Sequence, residues 1–223
     1  MYSLHTGRTA FDKVPSMTMF DYLTQHPDEV KLIGKAMIGV HGDEHSAIAD
    51  AYDFADIQTL TDFGSGAGDL LATIRRTHPH LVGTLYDLSD VVAQAYASFT
   101  VAGVAHRCSA VGGNFFELVP AGGGAYLLSH VIHDSNEEMC LTILSNCLRV
   151  MGGNRRLFII ESVLPAGDAP HPGKILDLVM LTTPGGIERP GEQYNALLAK
   201  ASFLLTRIIP IASAVGLVQA VAN

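Results

Sequence analysis

Cysteine is scarce: Cys108, Cys140 and Cys147 are the three in 223 residues, an odd number without metal-type spacing. That excludes a disulfide scaffold and leads us to expect buried thiols in a reducing, cytoplasmic setting. Charge is scarce too. Asp, Glu, Lys and Arg make up 16% of the chain, and basic residues are the minority, 14 against 22 acids for a net charge of −8. Nucleic acid and anionic membrane surfaces both demand a basic face, so neither partner is expected. Despite a mean hydropathy of +0.26, charges interrupt every apolar run before the ~20 residues that would cross a bilayer. Met1 to Ser16 lacks the apolar stretch of a secretory signal. Tryptophan is absent, and so is any low-complexity tract; with 48% hydrophobic residues the chain has enough apolar surface for a core, which excludes a disordered protein.

What is present is an alternation of short β-type runs with helical patterns from Leu60 onward, the mark of βα units on a parallel sheet. The expected strands are Thr59–Phe63, Val82–Leu88, Arg107–Val111, Ala125–Ile132 and Leu157–Val163. Helices are expected at Asp69–Thr77, Asp90–Val101 and Glu137–Met151, the last with Cys140, Leu144, Cys147, Leu148 and Met151 on one stripe and Ser135 with Glu138 as a capping box. Two further helices, Ile175–Leu181 and Glu192–Ala201, precede apolar runs at Leu204–Ile211 and Leu217–Val221. The short connection between those runs permits only an antiparallel pair. Seven strands with one reversed near the edge follow. Residues 1–58 carry no strand pattern, with helices around Met19–Leu23 and Asp28–Val40 broken at Gly42–Glu44, and form an appendage to a domain at 59–223.

Thr59 to Leu70 runs from a strand into a helix through Gly64, Gly66 and Gly68, which lets a ligand lie against bare main chain. A dinucleotide fingerprint would place its third glycine at position 69, where this chain has Asp69. A carboxylate at a helix N-terminus opposes a pyrophosphate. Asp87, at the end of the second strand and 25 residues after Asp62, can accept both hydroxyls of a ribose. A nucleoside ligand without a phosphate chain is the expectation, against a reading as a tight turn beside a solvated acid. After the third strand, Phe115 and Phe116 can stack on a base while Asn114 reads its edge; ordinary core packing is the alternative.

Asp62 through Gly68, Asp87, Gly113-Asn-Phe-Phe, Ser129-His-Val-Ile-His-Asp, Ile159-Ile-Glu-Ser-Val-Leu-Pro and Gly185-Gly-Ile-Glu-Arg together resemble the S-adenosylmethionine-dependent O-methyltransferases of the caffeic acid and acetylserotonin type. The resemblance runs from about His5 to the C-terminus, in the bacterial branch that tailors aromatic secondary metabolites. It implies an α/β, Rossmann-like class I methyltransferase fold: a seven-stranded, mostly parallel sheet with an antiparallel edge hairpin, plus N-terminal helices. S-adenosylmethionine is the implied cofactor, carried by Asp62, Gly64, Gly66, Asp87, Leu88, Asn114, Phe115 and Ser129. The implied partner is a small-molecule acceptor, with a homodimer weakened by the near-absence of the dimerisation domain, whose trailing helices resemble Phe20–Glu29 and Lys35–Met37 here.

Methyl transfer to a phenol needs in-line positioning and removal of a proton of pKa ~10, which a neutral imidazole can accept as the bond forms. His133, at the C-terminal end of the fourth strand, is the candidate base, and the resemblance assigns the base to the same position. It also implies Glu161 and Glu188 as the carboxylates flanking that base and Asp134 as a substrate-side acid. Met180 is a candidate wall for an aromatic acceptor. His130, His133 and Asp134 suggest a metal site, but residues three apart on extended chain point to opposite faces, so no metal is expected. Three positions depart from the family: Ser135 stands where Trp is usual, Asn114 where an acid is usual, and Ser129 where plant members carry Lys. Open alternatives are a relative that binds the cofactor without methyl transfer or uses its sulfonium to promote other chemistry, an N-methyltransferase, and, disfavoured by Asp69, a nicotinamide-dependent oxidoreductase.

Overall fold

The computed structural model describes residues 1–26, 28–30, 32–33, 36–37, 44–153 and 155–223. Much of the expected 28–40 helix and of its break at 42–44 lies outside them. Seven strands form one sheet: β1 Thr59–Phe63, β2 Val82–Asp87, β3 Cys108–Gly112, β4 Ala125–Ser129, β5 Arg156–Glu161, β8 Phe203–Pro210 and β9 Gly216–Ala222. Between them fall two short strands, β6 Val163–Leu164 and β7 Arg189–Pro190, which form a separate parallel pair among the described residues. The order in the large sheet is β3-β2-β1-β4-β5-β9-β8, parallel except that β9 runs against both its neighbours. The expected reversed strand near the edge is therefore β9.

The central strands are buried on both sides because their apolar residues alternate between two cores. Leu60, Leu127, Phe158 and Ile160 face one, together with Ile48 of the helix Glu44–Ala51, Ile74 of Asp69–Thr77 and Phe99 of Ala95–Val101. Phe63, Tyr126, Leu128, Leu157 and Ile159 face the other, against Cys140, Ile143, Leu144 and Cys147 of Glu137–Val150 and Tyr194, Leu197 and Leu198 of Gly191–Lys200. All three thiols are free and buried, as expected.

Several expected boundaries move. The Asp90–Val101 helix is two, Ser89–Val92 and Ala95–Val101. The cap of Glu137–Val150 is Asn136, whose side chain accepts from the Met139 amide at 3.0 Å; the Ser135–Glu138 capping box does not form, because the chain enters the helix one residue later. β4 ends at Ser129 rather than Ile132. His130 then takes φ +54° and a 3₁₀ turn spans Ile132–Asp134. Chain order reverses between β1 and β4, so the C-terminal ends of β1, β2, β4 and β5 open on the crevice where ligands collect in such sheets.

Candidate active site

One half of the crevice is the glycine loop after β1. Gly64, Gly66 and Gly68 all have positive φ, from +65° to +82°, which side chains with a Cβ rarely adopt. A Cβ on Gly64 would lie 2.8 Å from Val131 Cγ2 and 3.3 Å from Phe115 Cε1, so the loop is sealed against the segments after β3 and β4. Asp87, the last residue of β2, accepts the Gly66 amide at 3.0 Å and the Leu88 amide at 2.7 Å; Leu88 itself is half exposed. Asp62 is fully buried; its Oδ1 accepts the Ser65 hydroxyl at 2.5 Å, and its Oδ2 has no hydrogen-bond partner among the described residues. Burial lifts the Asp62 carboxyl to about 7, against the Ser65 hydrogen bond, with the charge of Asp87 adding to the rise. Asn114 closes a local turn, accepting the Phe116 amide at 3.0 Å and donating to Glu117 Oε1 at 3.1 Å, and Ser129 is buried at the tip of β4.

The other half carries the imidazole. The fully buried Glu161, at the end of β5, accepts three successive amides on Oε1, from Val131 (3.1 Å), Ile132 (2.6 Å) and His133 (3.0 Å). Its Oε2 accepts the Tyr194 hydroxyl at 2.8 Å. The loop before β7 presses onto the same turn. A Cβ on Gly186 would lie 1.7 Å from the His133 carbonyl oxygen, a space no other residue leaves, and Ile187 donates its amide to that oxygen at 2.8 Å. Glu188 Oε1 then meets His133 Nδ1 at 2.6 Å, while the Glu188 amide is held by Asp177 Oδ1 at 2.8 Å. Arg189, also buried, donates to the carbonyls of Ile132 (3.2 Å) and Ser135 (3.5 Å).

A carboxylate can only accept, so His133 Nδ1 carries the hydrogen and Nε2 is left to exchange a proton. Asp134 Oδ1 stands 3.6 Å from Nε2. Burial alone disfavours an imidazolium here, but the charge of Glu161, the Glu188 hydrogen bond and the charges of Asp134 and Glu188 outweigh it and raise His133 to about 9. Cys140 lies beneath, its thiol donating to the carbonyls of Ile132 (3.2 Å) and Ser135 (3.4 Å), and burial pushes it up to about 11.

The structure thus brings His133, Glu161, Glu188 and Asp134 to one place and Asp62, Gly64, Gly66, Asp87 and Phe115 to the adjoining loop. Met180 is buried on the helix Gly173–Thr182, and its carbonyl accepts the Gly185 amide at 2.8 Å. His130 and His133 do not point to opposite faces as they would on extended chain: the turn brings their ring centroids to 5.3 Å, and His130 Nε2 meets Glu44 Oε2 at 3.2 Å. Among the described residues the cluster whose ligating atoms lie within 4.8 Å of one another is instead His133, Glu161 and Glu188. Sequence reasoning missed Tyr194, Arg189, Asp177 and Gly186. For Arg189 and Gly186 the signal was the Gly-Gly-Ile-Glu-Arg run; Tyr194 and Asp177 had none beyond their helical patterns.

An open α/β sheet of this order, with a glycine loop and a carboxylate-held histidine at adjoining strand tips, is the architecture of the class I methyltransferases. Residues 3–204 match the O-methyltransferase domain family, and the chain belongs to it. Among curated proteins it is 40% identical over 220 residues to phenazine O-methyltransferase PhzM of Lysobacter antibioticus, covering 99% of this chain and 64% of that one. Mitomycin biosynthesis 6-O-methyltransferase of Streptomyces lavendulae is 32% identical, covering 94% and 60%. This chain therefore spans a little under two thirds of the length of these relatives. Among solved structures, NcsB1 from neocarzinostatin biosynthesis, in complex with S-adenosylmethionine and 2-hydroxy-5-methyl naphthoic acid, superposes with a TM-score of 0.91 at 31% identity, covering 100% of this chain and 66% of that one.

Proposed function

We propose that this chain transfers the methyl group of S-adenosylmethionine to a hydroxyl of a small aromatic molecule, with His133 accepting the hydroxyl proton. The observation that carries the reading is the 2.6 Å contact of His133 Nδ1 with Glu188, which leaves Nε2 as the nitrogen that exchanges a proton. Phenazine, naphthoic acid and mitomycin chemistry in the names of the relatives supports an aromatic acceptor.

The cofactor supplies an electrophilic methyl on a sulfonium sulfur. The residues fit it. Gly64 and Gly66 leave bare main chain, Asp62 Oδ2 is a buried acceptor without a donor, and Asp87 has lone pairs beyond its two amide bonds for a ribose. Leu88, Asn114, Phe115 and Ser129 border the same loop ends. On the acceptor side, Asp134 is the acid nearest Nε2 and Met180 is read as part of the wall. The new C–O bond forms as the C–S bond breaks, and the acceptor proton passes to Nε2 of the neutral imidazole, a form that grows as pH rises toward 9, so the rate of transfer should rise with pH over that range. Proton chemistry suits the His133–Glu161–Glu188 cluster better than a metal, because both oxygens of Glu161 are already taken by N–H and O–H donors. We read 59–223 as the domain that performs this and 1–58 as a helical appendage that precedes it.

Incubation with S-adenosylmethionine and a panel of phenols and catechols, read by product mass, tests the proposal. A methylated product is expected. Titration with S-adenosylhomocysteine separates the alternatives: binding without product points to a relative that has lost transfer, and no binding overturns both.

A further inference from the structure

We propose that Tyr194 is a positioning residue for the reaction: its buried hydroxyl holds Glu161, and Glu161 in turn holds the three amides that set the place of His133. The inference rests on the reading of His133 as the base. It starts from a buried carboxylate, which is tolerated only when its oxygens are hydrogen-bonded. Oε1 of Glu161 is satisfied by the amides of Val131, Ile132 and His133, and Oε2 is met by Tyr194 at 2.8 Å. Without that donor one buried oxygen of Glu161 would lose its hydrogen bond, and the side chain would shift away from the three amides it holds.

The rest of Tyr194 is ordinary core. Its ring is fully buried in the same cluster as Leu197, Leu198 and Phe203, where a phenylalanine would pack as well. The hydroxyl therefore has a task beyond packing. Burial raises the phenol far above its usual range, so it stays an O–H donor across the working pH. The turn it governs has little support of its own: it is one 3₁₀ turn of three residues, entered through a histidine at φ +54°. Arg189 restrains its carbonyls, and Glu161 restrains its amides. Glu188, Arg189 and Tyr194 arrive on one continuous ribbon, since the helix Gly191–Lys200 follows directly from Arg189–Pro190. A single segment thus delivers the partner of the imidazole, the guanidinium that restrains the carbonyls and the hydroxyl that anchors Glu161.

Tyr194→Phe removes one oxygen and keeps the ring. In the ligand-free protein, amide hydrogen exchange at 131–133 should quicken by about tenfold or more while amides of β4 and β5 stay within about twofold. The kcat for methyl transfer should fall about tenfold and KM for S-adenosylmethionine should change by far less than that factor, since the base sits on the turn whereas the glycine loop meets it through Val131. Starting from Glu161→Gln, adding Tyr194→Phe should cost less than about twofold more, because the two act as a unit. Wild-type exchange at 131–133, an unchanged kcat, or costs that simply add would each overturn the proposal. Should the wild type methylate no acceptor, it is the functional reading that fails, and the exchange comparison still decides whether Tyr194 governs the turn.

Discussion

Asp62 and His133 are both buried, both ionisable and both shifted upward, yet the consequences are opposite. For His133 the partners that favour its charged form outweigh burial, whereas for Asp62 burial outweighs the Ser65 hydrogen bond and drives it toward neutrality. In the ligand-free protein Asp62 holds its proton up to about pH 7. A cationic ligand should draw that proton off, so the affinity for S-adenosylmethionine should rise by up to about tenfold per pH unit below 7 and level off above it. Calorimetric titration between pH 5.5 and 8 measures this. Asp62→Asn should flatten the dependence, weaken binding at pH 8 by about tenfold or more, and raise the melting temperature of the ligand-free protein there, because a buried charge is removed. A variant that binds as tightly as wild type at pH 8 would remove Asp62 from the site.

At the level of elements, the sheet was legible in the sequence and the turn after β4 was not. Runs such as Ala125–Leu128 are apolar on both faces, and that is what a central parallel strand requires. His130 carries no such mark: a non-glycine residue at φ +54° is dictated by Glu161 binding the amides that follow, a contact across 30 residues that no local pattern encodes. Tyr194 was hidden for a related reason, since its helical spacing identifies it as core and its hydroxyl partner lies 33 residues away. The identities of His133, Glu161 and Glu188 were readable from the resemblance, and their division of labour was not. Glu188 touches the imidazole; Glu161 touches the backbone. The helix Glu137–Val150 gives a check on local structure. Asn136→Ala should destabilise the protein by about 1 kcal/mol in urea unfolding, the usual cost of an N-cap, whereas Ser135→Ala should leave that cap intact.

For the whole molecule, the proton held by His133 couples site and stability. A folded pKa of about 9 against an ordinary 6.5 means the folded state binds the proton more tightly than the unfolded chain does. That contribution is complete below about pH 6.5 and disappears as pH rises through 9; at most it amounts to roughly 3 kcal/mol. The melting temperature of ligand-free protein should therefore fall by several degrees between pH 6.5 and 9, and a His133→Gln variant should fall less. Equal slopes for the two proteins would contradict the assignment. The acidic balance acquires a structural meaning in the same way. Glu161, Glu188 and Asp134 surround one imidazole and make a pocket that favours positive charge, which a sulfonium also carries.

The most direct test of the central claim, that His133 is the base of a methyl transfer, compares initial rates of product formation for wild type and His133→Ala. Both are given saturating S-adenosylmethionine and whichever phenol or catechol wild type methylates, with S-adenosylhomocysteine affinity measured in parallel. A fall of about two orders of magnitude or more, with that affinity unchanged, is the predicted result. Equal rates would contradict it.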